Sequence, residues 1–146
     1  YQYPYATAYS ATDTTTTIST ITGTTAGRSF MYAQENGNND DGSAMTSYIE
    51  SGDFVIPESG ERLMSINRFI PDFKNQSGDL SIELNFKLYP ASTQVTHGPY
   101  TVSTTTTKVD TRARGRQGSI KISSTDLDTA WRYGTYRADV QPDGLR

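Results

Sequence analysis

The sequence of 146 residues contains no cysteine and a single histidine. The missing cysteines exclude disulfide bonds, thiolate metal ligands and a cysteine nucleophile. Long apolar runs are also missing, and without a stretch of about 18 such residues no segment is suited to span a membrane as a helix. Basic charge is not in excess, since 13 Lys and Arg oppose 16 Asp and Glu. That balance argues against a protein dedicated to coating DNA.

Groups suited to catalysis are sparse. His97 is followed directly by glycine and proline, so we expect it to lie in a turn. The chain has no Gly-x-Ser-x-Gly sequence to supply the serine of a Ser-His-Asp arrangement. Asp126 and Asp128 lie two residues apart in a predicted turn, where nothing assigns one the role of acid and the other that of base. We therefore expect no enzyme activity.

Metal and cofactor motifs are also missing. The loop NGNNDDG (36–42) has oxygen ligands, but its glycine is misplaced for an EF-hand and no glutamate follows at the twelfth position. The turn STDLDT (124–129) offers two carboxylates, one short of a convincing calcium shell. No Walker or dinucleotide glycine pattern occurs. We expect no metal and no cofactor.

Threonine, serine and glycine are abundant, and the chain has 10 tyrosines. β-Branched threonine and amphipathic tyrosine suit pleated strands, so this composition predicts β structure. The clearest strand is LSIELNFKL (80–88), in which Leu80, Ile82, Leu84, Phe86 and Leu88 alternate with polar residues.

Further strands are expected at 46–51, 53–57, 62–70, 119–123 and 131–140, and 100–117 forms one long strand or two. Turns are expected at 75–79, 96–99, 124–129 and 142–144. The strand at 62–70 should stop at Pro71, which cannot donate to a ladder. This spacing predicts an all-β fold, an antiparallel β-sandwich over residues 46–146.

Residues 1–45 differ from the rest. The Thr/Tyr-rich stretch 1–27 has only two large aliphatic residues, Ile18 and Ile21, and cannot bury a core of its own. It forms either an extended arm in solvent or one that docks on a neighbouring subunit through its tyrosines. The docking interpretation makes Tyr1, Tyr3, Tyr5 and Tyr9 interface candidates. An Asn/Asp/Gly-rich loop at 35–43 completes this region.

Arginines occupy positions 112, 114 and 116. In a strand, Arg112, Arg114 and Arg116 project to one face about 6.6 Å apart and repel one another unless anions lie between them. The anions are carboxylates of the same domain, such as Glu83 or Asp110, carboxylates of a neighbouring copy, or nucleic-acid phosphates. The acidic total and the lack of a second basic cluster argue against phosphates.

The stretch WRYGTYR (131–137) also alternates, with Trp131 and Tyr133 on one face and Arg132, Gly134 and Tyr136 on the other. We expect Trp131, the only tryptophan, to anchor the core. A second interpretation makes the protein a carbohydrate- or receptor-binding β-sandwich on a virion or cell surface. It requires exposed rings of Tyr133 or Tyr136 beside the loop at 35–42.

Several short stretches resemble the C-terminal region of tail-associated virion proteins of short-tailed bacteriophages. The resemblance covers about residues 46–146, and residues 1–45 have no counterpart in it. Leu145 departs from the pattern, in which two basic residues follow Pro-Asp-Gly. The stretches are IPDF (70–73), RARGRQ (112–117), the SIKI strand (119–122), WRYG (131–134) and DVQPDGLR (139–146).

The resemblance implies a structural part of a viral tail, of nozzle or tail-tube type, located in the virion. Copies of the chain would form a ring around the channel for genome ejection, in contact with other tail or portal and adaptor proteins. DNA would pass without sequence-specific binding, so the arginine row is expected to meet a neighbour's acids rather than phosphate. The chain, which does not begin with Met, would be the C-terminal part of a longer polypeptide. The resemblance assigns no catalytic residue.

Overall fold

The structure, a computed structural model, describes residues 5–10, 28–33, 37–40, 42–56 and 62–144. The chain divides into two compact units, Tyr1–Gly37 and Asn38–Arg146. In the first unit, β1 (Tyr5–Ser10) pairs antiparallel with β2 (Arg28–Ala33). Of the tyrosines proposed for the arm, Tyr5 and Tyr9 belong to β1, whereas Tyr1 and Tyr3 lie outside the described residues.

Twelve strands occur in the described part of the second unit. None of the described residues forms a helix, and hence none provides a helix able to cross a membrane. The strands are β3 (Asn39–Asp40), β4 (Ser43–Ala44), β5 (Ser47–Glu50), β6 (Phe54–Val55), β7 (Met64–Ile70), β8 (Phe73–Ser77), β9 (Leu80–Lys87), β10 (Val95–Val102), β11 (Val109–Gly115), β12 (Gln117–Ser124), β13 (Ala130–Tyr133) and β14 (Arg137–Pro142).

Two antiparallel sheets enclose the core. One has the strand order β10-β9-β12-β5, with β6 also paired to β12, and the other has the order β11-β7-β14. Buried apolar side chains from β7, β9, β10, β11 and β12 fill the space between them. The predicted all-β antiparallel sandwich is therefore confirmed. The pair β8–β13 and the short ribbon β3–β4 complete the unit.

The predicted alternation of β9 holds for four of its five apolar positions. Leu80, Ile82, Leu84 and Phe86 are buried, but Leu88 follows the end of the strand and is 51% exposed. The prediction was therefore wrong at Leu88, because its alternation applies only while the strand continues.

Two segments depart from their predicted backbone. Residues 96–99 were expected to form a turn, but they lie inside β10, where the pairing with β9 shifts between His97 and Tyr100. The Gly-Pro pair forms an irregularity within an edge strand, which is where proline is tolerated in a sheet. Residues 75–77, also expected in a turn, belong to β8, in which Ser77 pairs with Ala130 of β13 after a shift in register.

The long segments are divided. Residues 100–117 contain the end of β10 and all of β11, so the two-strand alternative is correct. Residues 131–140 were predicted as one strand, but β13 ends at Tyr133 and β14 begins at Arg137. The break has a physical cause: the Gly134 and Thr135 amides donate to Asp72 instead of to a ladder, at 2.8 and 3.0 Å.

Candidate functional site

Strand β11 presents the arginines on the edge of the three-stranded sheet. Its inward positions Thr111 and Ala113 are buried, whereas Arg112 and Arg114 are exposed, as the alternation of a strand requires. Gly115 packs so closely on Phe86 that a Cβ would lie 2.7 Å from the ring. Arg116 follows that glycine and is half-buried, so two of the three arginines project from the strand itself.

The three arginines have different surroundings. Arg114 forms an ion pair with Asp143, with Nε and Oδ2 2.6 Å apart, and also donates to the Asp143 carbonyl. The guanidinium of Arg116 lies over the Tyr89 ring, 5.3 Å from its centroid. Within the described part of the chain, Arg112 has no ion pair. A carboxylate of the same domain thus satisfies one member of the row.

The carboxylates suggested by the sequence have other partners. Asp110 accepts from Arg68 Nε at 2.9 Å and lies 3.5 Å from Lys108, whereas Glu83 lies 3.7 Å from Lys121. The hydrogen bond from Arg68 lowers the pKa of Asp110, and the charge of Lys108 adds to that effect. Neither carboxylate therefore neutralises the arginine row.

A rigid loop lies beside Arg116. The Ser92 hydroxyl accepts hydrogen bonds from the Leu88 and Tyr89 amides, both at 3.1 Å, and donates to the Tyr89 carbonyl at 2.8 Å. The loop exposes two apolar side chains, Leu88 and Tyr89, the latter by 59%, and Val95, the first residue of β10, is exposed as well. Fixed aromatic side chains next to arginine are typical of protein interfaces.

The opposite edge of the five-stranded sheet is also apolar. Strand β5 exposes Tyr48 and Ile49, by 66% and 46%, and Met45 precedes them. Glu50 ends the strand, is exposed, and has no ion pair among the described residues. The sequence predicted a strand here, but it gave no signal that the strand forms an edge.

Trp131 packs against the core from its rim and is not among the fully buried side chains. Its indole N–H donates to the hydroxyls of Ser47 and Ser124, at 3.1 and 3.2 Å, and its ring meets Phe73 edge-on. A shallow depression of about 330 Å3 lies beside it, lined by Asn38, Ser47, Thr129, Ala130 and Trp131. The tryptophan thus fastens β5 and β12 to β13.

Tyr133 and Tyr136 both pack against the core. The prediction that Tyr136 shares the exposed face of Arg132 was wrong, because β13 ends before it and its ring turns inward between Phe54 and Phe69. Burial raises the pKa of Tyr136 to about 12, and it also raises the pKa of Tyr133. Both rings are partly buried rather than fully exposed, as a binding platform would require.

The residues considered for catalysis and metal binding are dispersed. His97 lies on β10 with its ring edge-on to Phe86, and Asp128 accepts a hydrogen bond from Asn39 at 2.6 Å. No group of three or more His, Asp or Glu side chains suited to a metal ion occurs within the described ranges.

Four of the five stretches quoted for the resemblance contact each other in pairs. Asp72 of IPDF accepts hydrogen bonds from the backbone amides of Gly134 of WRYG and of Thr135 after it, and the rings of Phe73 and Tyr133 are tilted by 43° with their centroids 5.6 Å apart. In the same way, RARGRQ meets DVQPDGLR through the ion pair of Arg114. Comparison of the sequence with protein-family models and with curated proteins finds no match to either.

Proposed function

We propose that this protein is a non-enzymatic structural component of a bacteriophage tail, of nozzle or tail-tube type. Copies of its β-sandwich assemble as a homo-oligomeric ring around the channel for genome ejection, in contact with other tail or portal and adaptor proteins. The observation that carries the proposal is the surface of the sandwich. Its edges hold exposed apolar side chains, and the exposed Arg112 of the edge strand β11 has no ion pair among the described residues.

The pairing of the motifs supports the resemblance on which the proposal rests. Segments far apart in the chain, 70–73 with 131–134 and 112–117 with 139–146, contact each other in the sandwich. The proposal would place these four stretches in two contacting pairs of one fold. Exposed tyrosine, methionine and arginine are the residue types enriched at protein interfaces.

The alternative, a carbohydrate- or receptor-binding module, depends on aromatic rings available to a ligand. Tyr133 and Tyr136 are partly buried against the core, so only part of each ring is available to a ligand. A glycan array probed with the assembled protein tests this alternative directly. Hits that compete with a free sugar would support it over the structural role.

The test of the proposed function is the native mass of the protein and of a charge-reversed variant. We expect the native chain to form rings visible by electron microscopy, and Arg112→Glu with Arg114→Glu to leave monomers. The melting temperature should stay nearly unchanged, because both side chains are exposed and a surface ion pair contributes only about 0.2–1 kcal/mol.

The matched control is Lys74→Glu with Arg132→Glu, which makes the same change in net charge at exposed, paired positions of β8 and β13. This variant should assemble like the native chain. A native protein that remains monomeric at high concentration contradicts the proposed function, and so does an Arg112/Arg114 variant that still forms rings.

A further inference from the structure

Strand β5 offers unpaired backbone groups on its outer side. The Ser51 amide donates to the Ile120 carbonyl at 2.9 Å, which shows that Ser51 faces β12. Along an antiparallel strand, the backbone N–H and C=O groups of successive residues point alternately to the two sides. The N–H and C=O of Ile49 therefore also face β12, whereas those of Tyr48 and Glu50 point away from β12. The sheet therefore ends in two residues whose N–H and C=O groups have no neighbouring strand within the described part of the chain.

Other sheet edges carry features that discourage the addition of a strand. Strand β10 has a register shift and Pro99, and strand β14 has a register shift and ends in Pro142, whereas β11 pairs without a shift from Ala113 to Gly115. Strand β5 pairs with β12 without a shift, contains no proline, and carries exposed Tyr48 and Ile49. Such an edge favours pairing with a further strand.

Strand β11 is suited to supply that strand. The Thr111 hydroxyl donates to the Ile66 carbonyl at 2.7 Å, so the backbone groups of Ile66 face β11. The backbone groups of the adjacent residue, Ser65, therefore face β14 on the other side. Because Arg114 is opposite Ser65 and forms no ladder hydrogen bonds with it, the N–H and C=O of Arg114 point away from β7. The outer side of β11 thus also has unpaired backbone groups, flanked by the exposed side chain of Arg112.

We propose that β5 of one copy pairs antiparallel with β11 of the next copy. In the register that places core-side positions opposite each other, Ile49, which pairs with buried Ile122, lies opposite buried Ala113, Glu50 lies opposite Arg112, and Tyr48 lies opposite Arg114. This assignment rests on the proposed function, since it names the surfaces that close the ring. Two different edges meet, so the contact is head-to-tail, the type that generates rings.

Charge identifies the occupant as a second copy. Glu50 and Arg112 have no ion pairs within the described residues, and they are the charges that the register brings together. The ring of Tyr48 would meet the guanidinium of Arg114, a favourable cation–π arrangement. Within one chain β5 and β11 belong to different sheets, so the pairing requires another molecule.

The chain contains no cysteine, which allows a direct test by cross-linking. Glu50→Cys and Arg112→Cys are prepared as separate full-length variants, mixed, and treated with a short thiol-reactive cross-linker. We expect a covalent species of two chains in the mixture and little in either variant alone. Tyr48→Cys with Arg132→Cys is the matched pair that should not cross-link.

A charge exchange gives a second, reversible readout. Glu50→Lys and Arg112→Glu should each weaken self-association about tenfold, as measured by analytical ultracentrifugation, and the double variant should restore it. Asp79→Lys, an exposed carboxylate in the turn between β8 and β9, should have no such effect.

The outcomes separate the two proposals. Rings that form without the mixed cross-link, or a double variant that stays weak, overturn the β5–β11 contact and leave the structural role standing. A native chain that never associates overturns both.

Discussion

The two edges of the five-stranded sheet are built differently. Strand β10 has eight residues, and its middle is interrupted at His97–Tyr100, where Gly98 has a φ of +111° and Pro99 has no N–H. Strand β5 has four residues that pair with β12 in unbroken register, and its Tyr48 and Ile49 side chains are 66% and 46% exposed. The irregular backbone of β10 hinders pairing with a further strand, whereas the regular backbone of β5 permits it.

The difference predicts that β10 contributes to stability and β5 to the proposed contact between copies. Changes in β10 disturb backbone that is fixed by close packing, so they should lower the free energy of unfolding. Changes at exposed positions of β5 should alter association and leave the sandwich intact. The predictions below test that division, beginning with the largest effect.

Gly98→Ala should destabilise the sandwich most, by about 2–4 kcal/mol, because it combines two penalties. The residue has positive φ, and a Cβ would lie 2.8 Å from the backbone oxygen of Ile82. Urea denaturation measures the change. Gly52→Ala, just after β5, is the matched control: a Cβ there has no neighbour within 4 Å, so its effect should be near zero. Equal effects of the two substitutions would contradict the distinction between the edges.

Trp131→Phe should cost about 1–2 kcal/mol, because the indole N–H that joins Ser47 to Ser124 is lost. Circular dichroism follows the unfolding, since the variant has no tryptophan fluorescence. Hydrogen exchange should become faster at the Ile49 and Ser51 amides and stay unchanged in β10. Uniformly faster exchange in both edges would show that Trp131 supports the whole core rather than the β5 side.

Tyr136→Phe should have the smallest effect at neutral pH, a gain of about 1 kcal/mol, because its buried hydroxyl has no hydrogen-bond partner among the described residues. The substitution should change the free energy of unfolding more at alkaline pH. Folding raises the pKa of Tyr136 from 10.0 to about 12, so the native state retains a proton that the unfolded chain releases.

The stabilising contribution of that proton is complete below pH 10 and declines as the pH rises toward 12. Tyr136→Phe should remove this part of the alkaline loss of stability, as seen in urea titrations at a series of pH values. Tyr48→Phe, at an exposed ring of β5, should leave the pH profile unchanged. An identical profile for the native chain and Tyr136→Phe would contradict the assignment.

Much of the fold follows from local patterns. The alternation of Leu80 to Phe86 is sufficient to predict β9, and Pro71 correctly ends β7, because both effects act between near neighbours. Gly98 and Pro99 predict a turn at 96–99, but His97 pairs with Leu84 and Tyr100 pairs with Ile82, so the segment stays in the sheet. Tertiary pairing there outweighs local preference.

The candidate site was less accessible to sequence reasoning. The alternation of Arg112 and Arg114 predicted their common face, but the carboxylate that meets Arg114 is Asp143, 29 positions away, and no local signal links them. The exposure of Tyr48 depends on the order of strands in the sheet, which a single sequence does not determine. Which strand forms an edge and which charged side chains meet depend on the order of the strands in the folded protein, so local sequence patterns do not predict them.

The contact between Asp72 and Gly134 has an evolutionary consequence. A Cβ at position 134 would lie 2.7 Å from the Asp72 side chain, whose carboxylate also accepts from the Thr135 amide and lies 3.7 Å from Arg137. Neither position is free to vary alone. In a library that randomises both codons, functional clones should retain the Asp–Gly pair or change the two residues together. Selection would then act on positions 72 and 134, which are 62 residues apart, as a single unit.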